Sequence, residues 1–464
     1  MEESTQFIAT NTQVFIATAI FLFVYAVIIS EKIHRTIIAL LGAVTLIILG
    51  IHNVESAVHA IDFNTIGLLV GMMIIVGITR ETGVFEYLAI KSARMAKGEP
   101  IKIIVALSLI TAILSAFLDN VTTVLLIVPV TFAIASKLEL NPIPFLIPEI
   151  LASNIGGTAT LIGDPPNIMI GSKVGLGFMD FVINLTPVII IVYLATIFAL
   201  ELIYRNQVKA RQELKDSIMS MDEKEQITNA KLLTKCQIVL ALTIFGFIIH
   251  QYVNMESSVI ALTGAALLML VSRANPEEAL AAVEWPVIFF FVGLFVLVGA
   301  LEKVGVIEML AVKAVSVTGD NIMNTGMLIL WLSAIGSAFV DNIPFVATMI
   351  PLIQDMGRIA SIPPETLNVL WWCLSLGACL GGNGTIIGAS ANVVVIGMAE
   401  KRGFPITFIG YMKVAFPLML MSIAICTVYM YFWHSHHTPT VLLCTLGVGA
   451  ALALLLKMMA PKEH

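Results

Sequence analysis

The chain has 464 residues, of which 58% are hydrophobic and only 12% charged, with a net charge of −6. Soluble domains carry about 25% charged residues, so this composition excludes an ordinary water-soluble globule and marks a polytopic membrane protein, one integrated domain of two similar halves. The mildly acidic balance gives no basis for a nucleic-acid partner. The five cysteines have no CxxC or metal spacing and read as small core hydrophobes.

In chain order, apolar runs predict spans near 13–29, 35–51, 63–79 and 178–204, then 236–252, 257–272, 286–301 and 405–432, with a last span near 440–457. The acidic start Met1-Glu2-Glu3 lacks the basic n-region of a cleavable signal, so the first run is expected to stay in place. Between the spans lie two polar, Gly/Pro-broken regions. Each is expected to be a re-entrant hairpin (101–136 and 322–356) followed by a broken helix (143–172 and 366–399), the first of these interrupted over 154–167. Irregular backbone at membrane depth is tolerated only where protein or a wet cavity covers it, so the breaks mark an internal cavity. Stretches 83–96 and 305–317 predict amphipathic interfacial helices.

The two regions are copies. Ser115-Ala-Phe-Leu-Asp119-Asn120 returns as Ser337-Ala-Phe-Val-Asp341-Asn342, an offset of 222; Gly156-Gly157-Thr158 returns as Gly381-Gly382-Asn383, an offset of 225. Asp62 and Glu284, Gly71 and Gly293, and Gly83 and Gly305 also pair at 222. Loop charge sets the orientation. With 30–35, 80–102, 137–142, 205–235, 273–285, 400–404 and the C-terminus inside, and Lys413 counted with that side as a neighbour, every Lys and Arg is cytoplasmic except Lys173, Lys303, Lys313 and Arg358. Each half then crosses an odd number of times, so the repeats are expected to be inverted: 1–205 and 235–432, joined by a charged cytoplasmic linker at 206–234 and followed by a C-terminal helix and tail at 433–464. The linker is expected to be a solvated loop. The N-terminus lies outside and the C-terminus inside a cytoplasmic membrane.

Duplicated broken segments are the sequence pointer to a secondary transporter's site. Asp119 and Asp341 sit where charge is costly, and are candidate Na⁺ or H⁺ ligands as well as natural helix caps. Asn120, Thr122 and Asn342 complete the hairpin tips. Asn154, Gly156, Gly157, Thr158, Thr160, Gly381, Gly382, Asn383 and Thr385 line the breaks, the glycines turning backbone carbonyls toward the cavity and the others adding neutral oxygens. Asp164, with Pro165 and Pro166 after it, and Asn167 and Asn392 mark helix restarts; Asp164 reads equally as a proton-handling group or an N-cap. The second copy has Ala389 in place of Asp164. No Lys or Arg is expected near this cavity. His434, His436 and His437 read as a solvated rim rather than a metal site, and Trp371-Trp372 as anchors or core. With no P-loop or dinucleotide fingerprint, neither an enzyme nor an ATP-driven pump working alone is expected; an ATPase partner is compatible with the sequence but not indicated by it.

The phrases SAFLDNVTT (115–123), SNIGGTATLIGDPPN (153–167), SAFVDNIPF (337–345) and GGNGTIIGASANVV (381–394) resemble the ion transporter superfamily, in particular its arsenite-pump and sodium–proton-antiporter (ArsB/NhaD) group and the melanosomal P protein branch. The resemblance covers nearly the whole chain. It implies an all-α fold of two inverted repeats, each with a re-entrant hairpin and a broken helix, a homodimer, and elevator-like movement in the lipid bilayer. In related dicarboxylate carriers a Ser-Asn-Thr tip holds Na⁺ and substrate carboxylate. Here the tips read Asp119-Asn120-Val121-Thr122 and Asp341-Asn342-Ile343-Pro344, and the added charge opposes a polyanion unless cations neutralise it. The expectation is a Na⁺- or H⁺-coupled transporter of a small inorganic or carboxylate anion, with no other cofactor. Na⁺/H⁺ exchange, favoured by the absence of a basic residue, is the runner-up. A passive anion channel and an intramembrane aspartyl protease are the remaining alternatives.

Overall fold

A computed structural model describes residues 10–30, 32–318, 321–436 and 445–454. Every regular element among them is helical. Nine of the helices are long and apolar enough to cross a membrane, both arms of the first hairpin included. The expected final span is described only over Thr445–Leu454, and the side chains of His434, His436 and His437 lie outside the described residues.

The first hairpin runs Pro100–Phe117 and Asn120–Lys137, the second Ile322–Phe339 and Asn342–Ile359, with the tips where the Asp-Asn pairs stand. The broken helices run Ile143–Thr158 then Pro165–Val174, and Pro364–Gly381 then Ser390–Lys401. The first interruption is therefore six residues, 159–164, shorter than expected. Helical hydrogen bonding persists through the glycines to Thr158 and resumes where Pro165 and Pro166 begin a new first turn. The expected span 178–204 is two helices, Phe178–Asn184 and Thr186–Tyr204, because Pro187 starts a helix of its own.

The glycines act differently from expectation. In each half the first hairpin arm lies against the first part of the broken helix. A Cβ on Gly156 would stand 2.1 Å from the Ala112 carbonyl oxygen, and one on Gly381 2.5 Å from that of Ala334, the repeat equivalents of each other. They permit backbone-to-backbone crossing rather than turning carbonyls outward. Ser115 and Ser337 tie the same crossings, their hydroxyls donating to the Ser153 and Ala378 carbonyls at 2.6 Å in both. Thr160 and Thr385 likewise donate to the Ala116 and Ala338 carbonyls. Replacing Gly156 by Ala is expected to destabilise the protein by about 1–3 kcal/mol through overpacking. Gly397→Ala, in open space on a helix, is expected to be neutral or to stabilise by up to about 1 kcal/mol. Thermal melting in detergent checks the pair.

The remaining long helices interlock the halves. Arg35–Ile48 packs on Trp285–Lys303, and Phe63–Arg80 on Ser257–Ser272, so each pair takes one member from each half. The close-packed points again correspond: Gly293 meets the Ala39 backbone and Gly71 the Ala261 backbone.

The linker is docked, not free. Thr228 donates its N–H to the Thr82 carbonyl at 3.1 Å and its hydroxyl to that of Glu81 at 2.6 Å. Lys215 pairs with Glu99 at 2.8 Å, Glu223 pairs with Arg94, and Ile218 is buried. Gly83, at φ +74°, leaves room for the Gln226 carbonyl, which a Cβ would strike. The Lys215 and Glu223 charges look solvated in sequence because their partners lie more than a hundred residues away.

Candidate functional site

Six helix starts meet around one small cavity. They are the starts at Arg35, Asn120, Pro165, Trp285, Asn342 and Ser390, with His34, Asp119, Asp164, Glu284, Asp341 and Ala389 at the preceding cap positions. Each start carries roughly half a positive charge, so a carboxylate at the cap is stabilised there. Four of the six have one. The starts at Arg35 and Ser390 do not.

Two adjoining cavities occupy this meeting point. The smaller, about 20 Å³, has room for one water-sized occupant and is lined by Asp119, Asn120, Asp164, Asn342 and Glu284 among others. The larger, about 510 Å³, falls in the range of small-molecule sites and is lined by His34, Asp341, Pro286 and Val394 among others. Arg35, Val121, Glu284, Val287 and Ser390 form walls of both. The two tip aspartates thus face different cavities, Asp119 the small one and Asp341 the large one.

The tips differ for a reason visible in their chemistry. Asp119 accepts the Thr122 N–H at 2.9 Å through Oδ1 and the Thr122 hydroxyl through Oδ2, so its own helix occupies both oxygens. In the second copy the equivalent of Thr122 is Pro344, which has neither N–H nor hydroxyl. Asp341 caps through Ile343 N–H at 3.1 Å with Oδ1 alone. Its Oδ2 accepts from Arg35 Nη1 at 2.6 Å and from Ser390 Oγ at 2.9 Å. The expectation of a site without a basic residue is therefore wrong: Arg35, at the edge of a cytoplasmic loop in sequence, reaches inward over the Phe290 ring, 4.9 Å from its centroid.

Behind the cavities an amide network joins the halves. Asn120 donates to Asn154 Oδ1 at 3.1 Å, and Asn154 donates to Asn383 and Asn392 Oδ1 at 2.9 Å each. Asn392 donates to the Gly382 and Thr385 carbonyls, as Asn167 does to those of Thr158 and Thr160. Ser375 closes the ring onto Asn167 Oδ1 at 2.5 Å. Asn342 donates to Asp164 at 3.2 Å, where Asp164, fully buried, makes no cap bond to its own helix. Of the candidates read from sequence, Asp119, Asn120, Asp164, Asp341 and Asn342 reach a cavity wall. Thr122 serves Asp119, the Thr158 hydroxyl donates to the Asn154 carbonyl, and the other candidates sit in the packed layer behind.

Sequence reasoning missed Arg35, Glu284 and Ser390 as site residues. The repeat held the signal for Glu284, since its counterpart Asp62 lines a separate cavity of about 840 Å³ with Lys173 and His250. Glu284 stands one residue before its span. Burial pushes its carboxyl up to about 7, Asp119 adds to the rise and Arg35 opposes it. Glu284 is thus neutral well below pH 7 and charged well above it. Wild-type transport is expected to show a step near pH 7 that Glu284→Gln removes, checked by uptake between pH 5.5 and 8.5.

A family model described as citrate transporter (CitMHS) matches residues 25–377. An uncharacterized transporter of Mycobacterium tuberculosis H37Rv is 44% identical over 420 residues, covering 90% of this chain and 97% of its own length. The human P protein is 36% identical over 507 residues, 90% of this chain and 59% of its own. The crystal structure of the Alcanivorax borkumensis YdaH transporter superposes with a TM-score of 0.56 at 14% identity, over 92% of this chain and 99% of that one, a likeness of fold.

Proposed function

The chain belongs to the citrate-transporter family within the ion transporter group, and we propose that it is a cation-coupled secondary transporter of a small inorganic or carboxylate anion. The observation that carries this reading is the pair of adjoining cavities. One is the size of a single ion and lined by Asp119, Asp164 and Glu284; the other is substrate-sized; and they share a wall. Na⁺ or H⁺ enters the acidic cavity, and the anion enters the larger one only when that charge is balanced. Three carboxylates beside an empty small cavity repel a polyanion, so ordered binding follows from electrostatics. Access alternates as the hairpins and broken helices move against the interlocked spans. The larger cavity is lined by His34 and Pro286, beside the basic loops, so in this conformation it faces the cytoplasm of a protein with its N-terminus outside and its C-terminus inside the cytoplasmic membrane. The working unit is a homodimer in the bilayer.

Na⁺/H⁺ exchange is the second reading, favoured by the excess of carboxylates over the one guanidinium. Liposomes holding the protein and a pH dye separate the two. Under the first reading, a Na⁺ pulse without a permeant anion produces no proton efflux, and adding citrate, the anion of the family description, produces uptake. Proton efflux on Na⁺ alone supports the second.

A further inference from the structure

We propose that Arg35 is the anion ligand of the larger cavity and that its ion pair with Asp341 is a switch which the anion opens, freeing Asp341 for a cation. The inference rests on the transport reading above and supplies its coupling step.

Four observations carry it. Among the described residues, Arg35 is the only Lys or Arg bordering either cavity, and it borders both. Its Nη1 bonds Asp341 Oδ2 and Ser390 Oγ, both at 2.6 Å, while Ser390 also donates to that same carboxylate oxygen. The three groups form one cluster on the wall of the larger cavity. The two helix starts without a carboxylate cap, at Arg35 and at Ser390, are those flanking this cluster, and each brings the partial positive charge of a helix N-terminus to it. Finally, the cluster forms around one hairpin tip alone. The repeat equivalents of Arg35 and Ser390 are Ser257 and Pro165, and Thr122 stands where the second tip has Pro344, so Asp119 is satisfied by its own helix.

A guanidinium is built for bidentate contact with a carboxylate or phosphate. In the absence of substrate, Asp341 engages it through one contact alone, Nη1 to Oδ2. An anion arriving in the larger cavity competes for Arg35 and for the Ser390 hydroxyl. Asp341 then keeps only its cap bond from Ile343, and its freed oxygen faces a cavity holding an anion. A cation bound there restores neutrality. Anion and cation therefore favour each other's binding without touching the same residue. Removal of either switch partner leaves the other in its permanently open state.

The test uses the purified full-length protein in detergent. Cation affinity is read from the rise in melting midpoint, with Na⁺ titrated at fixed pH and pH titrated at fixed K⁺, alone and with citrate, succinate or phosphate added singly. In the wild type at least one of these anions raises cation affinity by about 5–150-fold, the usual range of coupling between two sites. Arg35→Gln loses the response to the anion, and its cation affinity without anion equals the anion-bound wild-type value. Asp341→Asn binds the same anion whether or not the cation is present. Arg35→Lys, which keeps the charge without the fork, retains coupling at weaker anion affinity. The double variant Arg35→Gln/Asp341→Asn leaves no unpaired charge, melts near the wild type and shows no coupling, which separates loss of the switch from loss of the fold. Coupling that persists in Arg35→Gln, or a cation affinity there equal to the anion-free wild type, overturns the proposal. A wild type that responds to cations but to none of the anions overturns it while sparing the cation site. A wild type that responds to neither overturns the transport reading as well.

Discussion

Asp119→Asn is expected to abolish gradient-driven transport while leaving the protein folded. The asparagine Oδ1 still accepts the Thr122 N–H that caps Asn120–Lys137, so the helix start is kept. What disappears is the one tip carboxylate facing the ion-sized cavity. A hydrogen-bond or ion contact to a charged group contributes about 1.5–3 kcal/mol, so apparent cation affinity should fall by roughly 10–150-fold. The anion, which depends on that cation for charge balance, loses accumulation with it. Asp341→Asn should behave differently, because Asp341 answers to Arg35 rather than to the small cavity. Its loss removes the cation ligand that the anion exposes and so uncouples transport, while the cation site of the small cavity is kept. Cation-dependent uptake into liposomes, with melting midpoints as the folding control, distinguishes the two variants.

Asn154→Leu is expected to be the most destabilising single change near the site. The side chain is fully buried and accepts from Asn120 while donating to Asn383 and Asn392. Leucine fits the volume but offers no polar atom, so one donor and two acceptors, in the helices starting at Asn120 and Ser390 and in the second helix break, lose a partner. Each buried group left unsatisfied costs about 1–3 kcal/mol. The effects share one network and do not simply add, so the expected loss is several kcal/mol. Asn120→Ala removes a single donor and leaves Asn154 with both of its acceptors, so it should cost clearly less. A melting midpoint for Asn154→Leu no lower than that of Asn120→Ala would contradict the network's role in holding the halves together.

Much of this was legible in the chain because duplication writes local chemistry twice. The tips at Asp119-Asn120 and Asp341-Asn342 and the crossings at Ser115 and Ser337 stand 222 apart and the restarts at Asn167 and Asn392 225 apart, and the hydrogen bonds of the crossings and restarts repeat in the structure. Repeat arithmetic cannot see what differs between the copies, and the difference carries the proposed mechanism. Pro344 is plain in the sequence. That it leaves an oxygen of Asp341 open, and that a guanidinium 306 residues away fills it, is a tertiary fact. Arg35 was hidden by its address, since a basic residue at a loop edge satisfies the positive-inside rule whether it faces water or reaches inward. The glycines misled in the opposite way. Gly156 and Gly381 suit an exposed backbone as well as a close crossing, and only the Ala112 and Ala334 carbonyls beside them decide for the crossing.

The most direct test of the account is uptake of labelled citrate by liposomes carrying the wild-type protein, with an imposed Na⁺ or pH gradient and again with none. The account predicts accumulation that requires the gradient, saturates with citrate and is lost in Asp119→Asn. Citrate entry at the same rate without any gradient, or accumulation that survives Asp119→Asn, would contradict it.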